Sequence, residues 1–166
     1  RLGATVTTYE QDAEFADARG RTQYRQAHIA GAAFSPAPDG QDGGDPVSEL
    51  DEDTQIVTYC RCPHHLSSMR AASLINEGYS HTYALDEGFD PWIRRGYPTE
   101  GVSTQQIPAA YTISGRTDPA HAGEFAWAHH DATEQREPAT IAGDGAFEIE
   151  FRFHHVDQSS PIRVAT

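Results

Sequence analysis

Residues 55–60 have the sequence Gln-Ile-Val-Thr-Tyr-Cys, a β-branched run that predicts a buried strand with Cys60 at its carboxyl end. The chain continues as Arg-Cys-Pro-His-His-Leu-Ser over residues 61–67. Good helix formers then dominate from Ser67 to Glu77, and Gly78 ends that pattern. Cys60 is therefore predicted to lie between the end of a strand and the start of a helix.

Strands and helices alternate on either side of this stretch. A strand is predicted over Ala13–Asp17, another over His81–Leu85, and a short helix from Trp92 to Arg95. This alternation predicts an α/β fold with a parallel sheet. In the helix after Cys60, three residues recur on one face that we expect to be buried: Leu66, Met69 and Ala72.

The sequence after residue 100 predicts a second, all-β module. Residues 101–107 form a polar linker between a first domain over residues 1–100 and a second over residues 108–166. In the second domain, apolar residues alternate with charged ones, as is typical of a half-buried antiparallel strand: Phe147, Ile149, Phe151 and Phe153. A further strand begins at Ile162 near the end of the sequence, so we expect this module to continue beyond it.

The composition is strongly acidic, with a net charge of -13 and 12 basic residues, all of them arginine. An acidic surface repels phosphates and anionic lipids, so neither nucleic acid nor a membrane surface is an expected partner. No apolar run approaches the length of a membrane span. A salt-adapted or high-GC source accounts for the acidity without any functional role. Because the sequence begins at Arg1, we expect a longer precursor.

Several short motifs occur in the order and spacing of a known family: Asp17-x-Arg19, Tyr24-x-x-x-His28-Ile29-x-Gly31-Ala32, the strand ending in Cys60, Gly78-Tyr79, Leu85-x-x-Gly88, Trp92 and Gly96-Tyr97-Pro98. Residues 13–98 therefore resemble the rhodanese-like (sulfurtransferase) domain. The resemblance implies a parallel sheet with helices on both faces and an active-site loop that begins at Cys60.

What the resemblance implies about function centres on Cys60 as the catalytic residue, which would carry a persulfide. The implied partners are a small sulfur donor, thiosulfate or a persulfide, and a thiophilic acceptor, with no cofactor. Asp17 and Arg19 are expected to tie the loop and the sheet together through hydrogen bonds. His28 is expected to bond to the backbone near the edge of the sheet.

The segment Ala109–Phe153 resembles, more loosely, the immunoglobulin-like repeats related to carboxypeptidase regulatory domains. The residues that carry this resemblance are Ser114-Gly115-Arg116-Thr117-Asp118-Pro119, Gly123 and Asp144-Gly145-x-Phe147. It implies a small β-sandwich. Because such modules in bacteria and archaea are mostly found outside the cytoplasm, it also favours an extracytoplasmic location, with the cytoplasm as the alternative.

The predicted position of Cys60 suits a reactive thiol. A thiol between a strand end and a helix start faces backbone N–H groups and the positive end of the helix dipole, which both favour the thiolate. The same cradle would hold thiosulfate or the outer sulfur of a persulfide. Arg61 adds a cation if its side chain turns inward. The alternative is that Cys60 is simply a small buried apolar residue.

The candidate active-site loop departs from the family pattern. It comprises Arg61, Cys62, Pro63, His64, His65, Leu66 and Ser67, one residue more than the common sulfurtransferase loop. Longer loops occur in the related dual-specificity phosphatases and arsenate reductases, which place an arginine where this chain has Leu66. An oxyanion-handling enzyme is therefore one alternative, with Arg70 as the substitute if it reaches back. A non-catalytic binding or scaffold module is another.

Cys62 and the two histidines leave several roles open. Together with Cys60, the side chains of Cys62, His64 and His65 could bind zinc or copper. We predict no metal, because a tight loop around Pro63 would have difficulty directing four side chains at one centre. Cys62 is either a resolving thiol for the persulfide or without a role. His64 or His65 either tunes the thiolate, donates a proton or has no role.

Overall fold

A computed structural model describes residues 13–37, 46–61 and 65–166. The chain divides into two compact units, residues 1–106 and 107–166. The first part of the predicted linker is hydrogen-bonded within the first unit, since Val102 N and Ser103 N donate to Arg25 O and Gln26 O. Among the helices that the structure describes, none is long and apolar enough to cross a membrane.

The first unit contains a four-stranded parallel sheet. Its elements are β1 (Ala13–Asp17), α1 (Arg21–Gln26), β2 (His28–Ile29), β3 (Ala33–Phe34), a 3-10 turn (Pro46–Glu49), β4 (Gln55–Tyr59), α2 (Leu66–Asn76), β5 (Thr82–Ala84), α3 (Phe89–Arg94) and β6 (Thr99–Glu100). The sheet has the order β3-β1-β4-β5 with every pair parallel, while β2 and β6 pair antiparallel. This confirms the predicted α/β fold.

Strand β4 lies in the middle of the sheet, where the β-branched run predicted it. Residues 56–59 are all buried, as expected for a central parallel strand covered on both faces. Its parallel neighbours β1 and β5 place the ends of three strands at the same edge of the sheet. Cys60 follows β4 directly at that edge.

The buried face of α2 differs from the prediction. Met69 is only half-buried and Ala72 is exposed, and the buried residues are Leu66, Ser67, Arg70, Ala71 and Leu74. They recur with the helical period, so the helix is amphipathic as predicted, but its buried face includes an arginine. Arg70 can be buried there because its Nε donates to Ser35 Oγ at 2.8 Å and its Nη1 to Glu77 Oε1 at 2.9 Å.

The second unit is a small all-β domain. Its strands are β7 (Tyr111–Arg116), β8 (Phe125–His130), β9 (Gln135–Thr140), β10 (Ala146–Phe151) and β11 (Arg163–Ala165), with 3-10 turns at Pro119–His121 and Asp131–Thr133. Strand β7 pairs with β10, and β8 lies between β11 and β9, all antiparallel. The predicted alternation is confirmed, since Ile149, Phe151 and Phe153 are buried in one core cluster.

A close contact between Gly115 and Phe147 supports the pairing of β7 with β10. The two residues are directly opposite, and a Cβ at position 115 would lie 2.5 Å from Phe147 Cζ. We expect Gly115→Ala to lower the free energy of unfolding of this unit by about 1–3 kcal/mol, because the ring must move. Urea unfolding followed by Trp127 fluorescence in a Trp92→Phe background measures it.

The control for this substitution is Gly143→Ala. A Cβ at position 143 meets nothing within 4 Å, so we expect little change in stability. Equal losses in the two variants would contradict the role of the glycine–phenylalanine contact.

Candidate active site

The Cys60 side chain is completely buried, with an exposed fraction of 0%. Its thiol donates to Ser67 Oγ at 3.3 Å, and its carbonyl oxygen accepts from Phe89 N at 2.9 Å. A serine hydroxyl can equally donate, so Ser67 can hydrogen-bond either the thiol or the thiolate. Cys60 is thus held between α2 and α3 at the end of β4.

Ser67 is placed by the first turn of α2 and by Thr58. The Thr58 hydroxyl lies 2.8 Å from Ser67 O and 3.1 Å from Tyr83 O, which ties the start of the helix to β4 and β5. The side chains of Thr58 and Ser67 are both buried. The first N–H groups of this 11-residue helix have no partner within the helix, and the positive end of its dipole lies at the same turn. The Cys60 thiol therefore lies near the Ser67 hydroxyl and the positive end of the α2 dipole, and both favour negative charge on sulfur.

Asp17, the last residue of β1, and Arg19 form a buried ion pair at this edge of the sheet. Arg19 Nε and Nη2 donate to the two carboxylate oxygens at 2.8 and 2.6 Å, and both side chains have exposed fractions of 0%. Burial alone would lower the pKa of Arg19, but the Asp17 charge and hydrogen bond raise that pKa above its usual value. The pair also joins other elements, since Arg19 Nη2 donates to Ala27 O at 2.6 Å and Tyr59 Oη donates to Asp17 Oδ2 at 3.0 Å.

The Arg61 side chain turns inward and forms a second buried ion pair. Its Nη1 donates to Asp90 Oδ1 in the first turn of α3, and the two residues have exposed fractions of 4% and 6%. Burial and the nearby Arg19 charge lower the pKa of Arg61 to about 10, while Asp90 acts in the opposite direction. The two guanidinium groups lie 4.2 Å (Arg19) and 5.9 Å (Arg61) from the centroid of the Phe89 ring. The Phe89 ring therefore lies within 6 Å of a guanidinium group from each of the two buried ion pairs.

The remaining predicted site residues have different surroundings. Leu66 is fully buried, and His65 is half-buried at the N-cap of α2. His28 Nδ1 lies 2.8 Å from Tyr24 O, so the expected bond to backbone is present. Three of the predicted residues lie outside the described part of the chain: Cys62, Pro63 and His64.

The alternative metal set includes Cys62 and His64, so its geometry is not described. Over residues 13–37, 46–61 and 65–166, no group of three or more histidine, cysteine or acidic side chains could hold a metal ion. This finding does not cover Cys62 and His64, so metal binding by Cys60, Cys62, His64 and His65 stays a hypothesis.

Sequence analysis did not single out Thr58, Phe89 or Asp90 as site residues. Phe89 and Asp90 begin α3, and Asp90 lies one turn before the buried Ile93 on the same helix face. An acidic residue in the first turn of a helix is commonly a solvent-exposed dipole partner. Its spacing from Ile93 was the available signal that this one faces the protein interior.

A comparison with family models decides the family. The model of the rhodanese-like domain matches residues 6–95, which is more than half of the 166-residue chain. This chain belongs to the rhodanese-like family. The matched segment contains both buried ion pairs and the start of the candidate active-site loop.

Proteins of this family with known names are similar over the same region. Thiosulfate sulfurtransferase GlpE of Pseudomonas fluorescens (strain SBW25) is 36% identical over 92 residues, 55% of this chain and 79% of that protein. GlpE of Stutzerimonas stutzeri (strain A1501) is 32% identical over 84 residues, 51% of this chain and 72% of that protein.

A solved structure shows the same fold. The solution NMR structure of the rhodanese-like domain of Anabaena sp. Alr3790 is 29% identical with a TM-score of 0.53, covering 65% of this chain and 80% of that one. The crystal structure of BH2092 from Bacillus halodurans is 22% identical with a TM-score of 0.51, covering 61% and 73%. The rhodanese-like fold is therefore shown for the α/β part of the chain.

Proposed function

We propose that this protein is a sulfurtransferase or sulfur carrier that forms a persulfide on Cys60, with thiosulfate or a persulfide as the donor. The observation that carries the proposal is the position of Cys60. This residue follows β4 directly, and its sulfur lies 3.3 Å from Ser67 Oγ at the start of α2. The similarity to thiosulfate sulfurtransferases supports the same chemistry.

The proposed reaction has two steps, both displacements at sulfur. The Cys60 thiolate attacks the outer sulfur of thiosulfate, the sulfur–sulfur bond of thiosulfate breaks, and sulfite leaves with its electron pair. In the second step a thiophilic acceptor attacks the outer sulfur of the persulfide, and Cys60 leaves as thiolate. Negative charge stays on sulfur throughout, and the Ser67 hydroxyl and the start of α2 are the groups that would stabilise it.

A phosphatase or arsenate reductase has less support from the described residues. Leu66, at the position where those enzymes place an arginine, is fully buried. The candidate substitute Arg70 donates to Ser35, Ser73 and Glu77 through its Nε and Nη1 atoms. Turnover of an aryl phosphate or of arsenate that is lost in Cys60→Ser would restore this alternative.

A non-catalytic binding or scaffold module is favoured by one observation, the complete burial of Cys60. A donor can react only if the Cys60 sulfur becomes exposed. A thiol that resists alkylation in the folded protein would support the binding module. Reaction of Cys60 with a small alkylating agent at neutral pH would support the sulfurtransferase.

Treatment with thiosulfate tests the proposal directly. We expect the full chain to gain one sulfur atom, located on the Cys60 peptide by mass spectrometry. Cys60→Ala should gain none, while Cys62→Ser should still be loaded because the attacking thiolate is that of Cys60. Absence of the sulfur in the wild-type protein, or its survival in Cys60→Ala, would overturn the proposal.

For the second unit we propose an immunoglobulin-like sandwich. Its support is the antiparallel pairing of β7 with β10 and of β8 with its two neighbours around one apolar cluster. A crystal structure of the full chain tests it: two facing antiparallel sheets are expected, and a single continuous sheet would contradict it.

A further inference from the structure

A threonine hydroxyl two residues before Cys60 bonds to the first turn of α2. Thr58 Oγ1 donates to Ser67 O at 2.8 Å and also lies 3.1 Å from Tyr83 O. Thr58 and Ser67 both have exposed fractions of 0%, so bulk solvent does not compete for the bond between them. The hydroxyl therefore fixes the main chain of Ser67 relative to β4.

The side chain of the same serine reaches the reactive sulfur. Cys60 Sγ and Ser67 Oγ are 3.3 Å apart. Ser67 is thus bonded to Thr58 at its carbonyl and to Cys60 at its hydroxyl. Since Thr58 lies in β4 and Cys60 directly follows that strand, one short segment of the chain holds the serine at both ends. A displacement of Ser67 away from Thr58 would also change its distance to the sulfur.

The bond from Thr58 is additional to the hydrogen bond that Ser67 makes within its own helix. In an α-helix the carbonyl of Ser67 accepts from the N–H four residues later, that of Ala71, and both residues lie within α2. A carbonyl oxygen has two lone pairs and can accept both donors. Removal of the Thr58 hydroxyl therefore leaves Ser67 O its helical partner and breaks the connection to β4.

We propose that Thr58 is a positioning residue: its hydroxyl holds the first turn of α2 so that Ser67 Oγ stays within hydrogen-bonding distance of Cys60 Sγ. This inference rests on the proposed function, because the place of the Ser67 hydroxyl affects the reaction only if Cys60 reacts as a thiolate. Thr58 acts through Ser67 and takes no part in the bond changes at sulfur.

A displaced Ser67 would weaken the hydrogen bond that favours the Cys60 thiolate. Hydrogen bonds to the charged form of a group favour that form, so their loss raises the pKa of a thiol. Below its midpoint, a thiol whose pKa rises by one unit has tenfold less thiolate, but that thiolate is about threefold more nucleophilic. The net loss of activity expected from such a rise is therefore about threefold.

Thr58→Val tests the role of the hydroxyl, because it keeps the branched shape of the side chain. In the full chain with Cys62→Ser, so that one thiol titrates, we expect the midpoint of thiolate absorbance to rise by about one pH unit. The rate constant kcat/KM for thiosulfate, measured below both midpoints, should fall about threefold. A titration of Cys60→Ala/Cys62→Ser corrects for the absorbance of the seven tyrosines. Thr58→Ser restores a hydroxyl and should return both values toward those of the wild type.

Thr82→Val is the matched control, since it removes a second buried threonine hydroxyl from the same sheet. Thr82 Oγ1 donates to Tyr79 O at 2.7 Å, and this bond does not involve the first turn of α2. We expect Thr82→Val to lose stability in urea unfolding while keeping the wild-type midpoint and kcat/KM. An unchanged midpoint in Thr58→Val, or an equal rise in both valine variants, overturns the inference. If Thr58→Val does not fold, Thr58→Ala takes its place with the same expectations.

A double-mutant cycle with Ser67→Ala shows whether Thr58 acts through Ser67. Ser67→Ala should itself raise the midpoint, and adding Thr58→Val should raise it no further, because no serine hydroxyl is left to be positioned. A second rise of equal size would assign the effect of Thr58 to another route and overturn the inference. The midpoints are measured without a sulfur donor. A wild-type protein that accepts no sulfur therefore refutes the proposed function, whereas the midpoints separately decide the role of Thr58.

Discussion

Replacement of Arg19 by methionine is expected to lower the free energy of unfolding of the α/β unit by about 3–5 kcal/mol. Asp17 would keep a carboxylate with an exposed fraction of 0% and lose the two bonds from the guanidinium. Ala27 O would also lose its donor. Tyr59 Oη would still donate to Asp17, but a buried charge without its ionic partner costs far more than the packing of the methionine side chain can recover.

An exposed ion pair of the same unit provides the control. Arg95 pairs with Glu87, with side-chain exposed fractions of 46% and 41%, and Arg95→Met is expected to cost less than about 1 kcal/mol. Urea unfolding followed by Trp92 fluorescence in a Trp127→Phe background measures both. The double variant Asp17→Leu/Arg19→Met should regain part of the loss, because it leaves no buried charge. Similar losses for Arg19→Met and Arg95→Met would contradict the argument.

The fold could be predicted from sequence where the pattern of apolar residues is local. The β-branched run of β4 and the alternation of Ile149, Phe151 and Phe153 are such patterns, and the structure confirms both. The buried face of α2 was predicted wrongly because the period of its apolar residues does not indicate that Arg70 is buried. Its burial depends on Ser35, which lies 35 residues earlier in the chain, and no local pattern contains that information.

The site was predictable in part for the same reason. The position of Cys60 follows from the adjoining strand and helix, and the expected hydrogen bonds of Asp17 and Arg19 are present. The direction of Arg61 was left open, because it depends on Asp90, 29 residues away. Whether a guanidinium faces water or a buried carboxylate is decided by a balance between desolvation and Coulomb attraction, which requires the three-dimensional distances.

Replacement of Gly88 by alanine is expected to reduce kcat/KM for thiosulfate by about 100-fold, since a displacement of about 1 Å in a catalytic group has an effect of that order. The added Cβ would lie 2.6 Å from Arg61 O and 3.1 Å from Arg61 C. Both are main-chain atoms, so no side-chain rotation relieves the contact. The main chain of Arg61 must move away from α3, and Cys60, whose carbonyl oxygen accepts from Phe89 N, is displaced with it.

Gly96→Ala is the matched control, because it separates the contact from the strain of the backbone. Gly96 has φ +70°, almost equal to the +69° of Gly88, yet a Cβ there meets nothing within 4 Å. Both alanines therefore bear the cost of a positive φ, on the order of 1–3 kcal/mol, but only Gly88→Ala brings a Cβ against the main chain of Arg61. We expect Gly96→Ala to lose stability while keeping near wild-type kcat/KM, with urea unfolding measured alongside the kinetics. Equal losses of activity in the two variants would show that backbone strain, and not the contact with Arg61, causes the loss in Gly88→Ala.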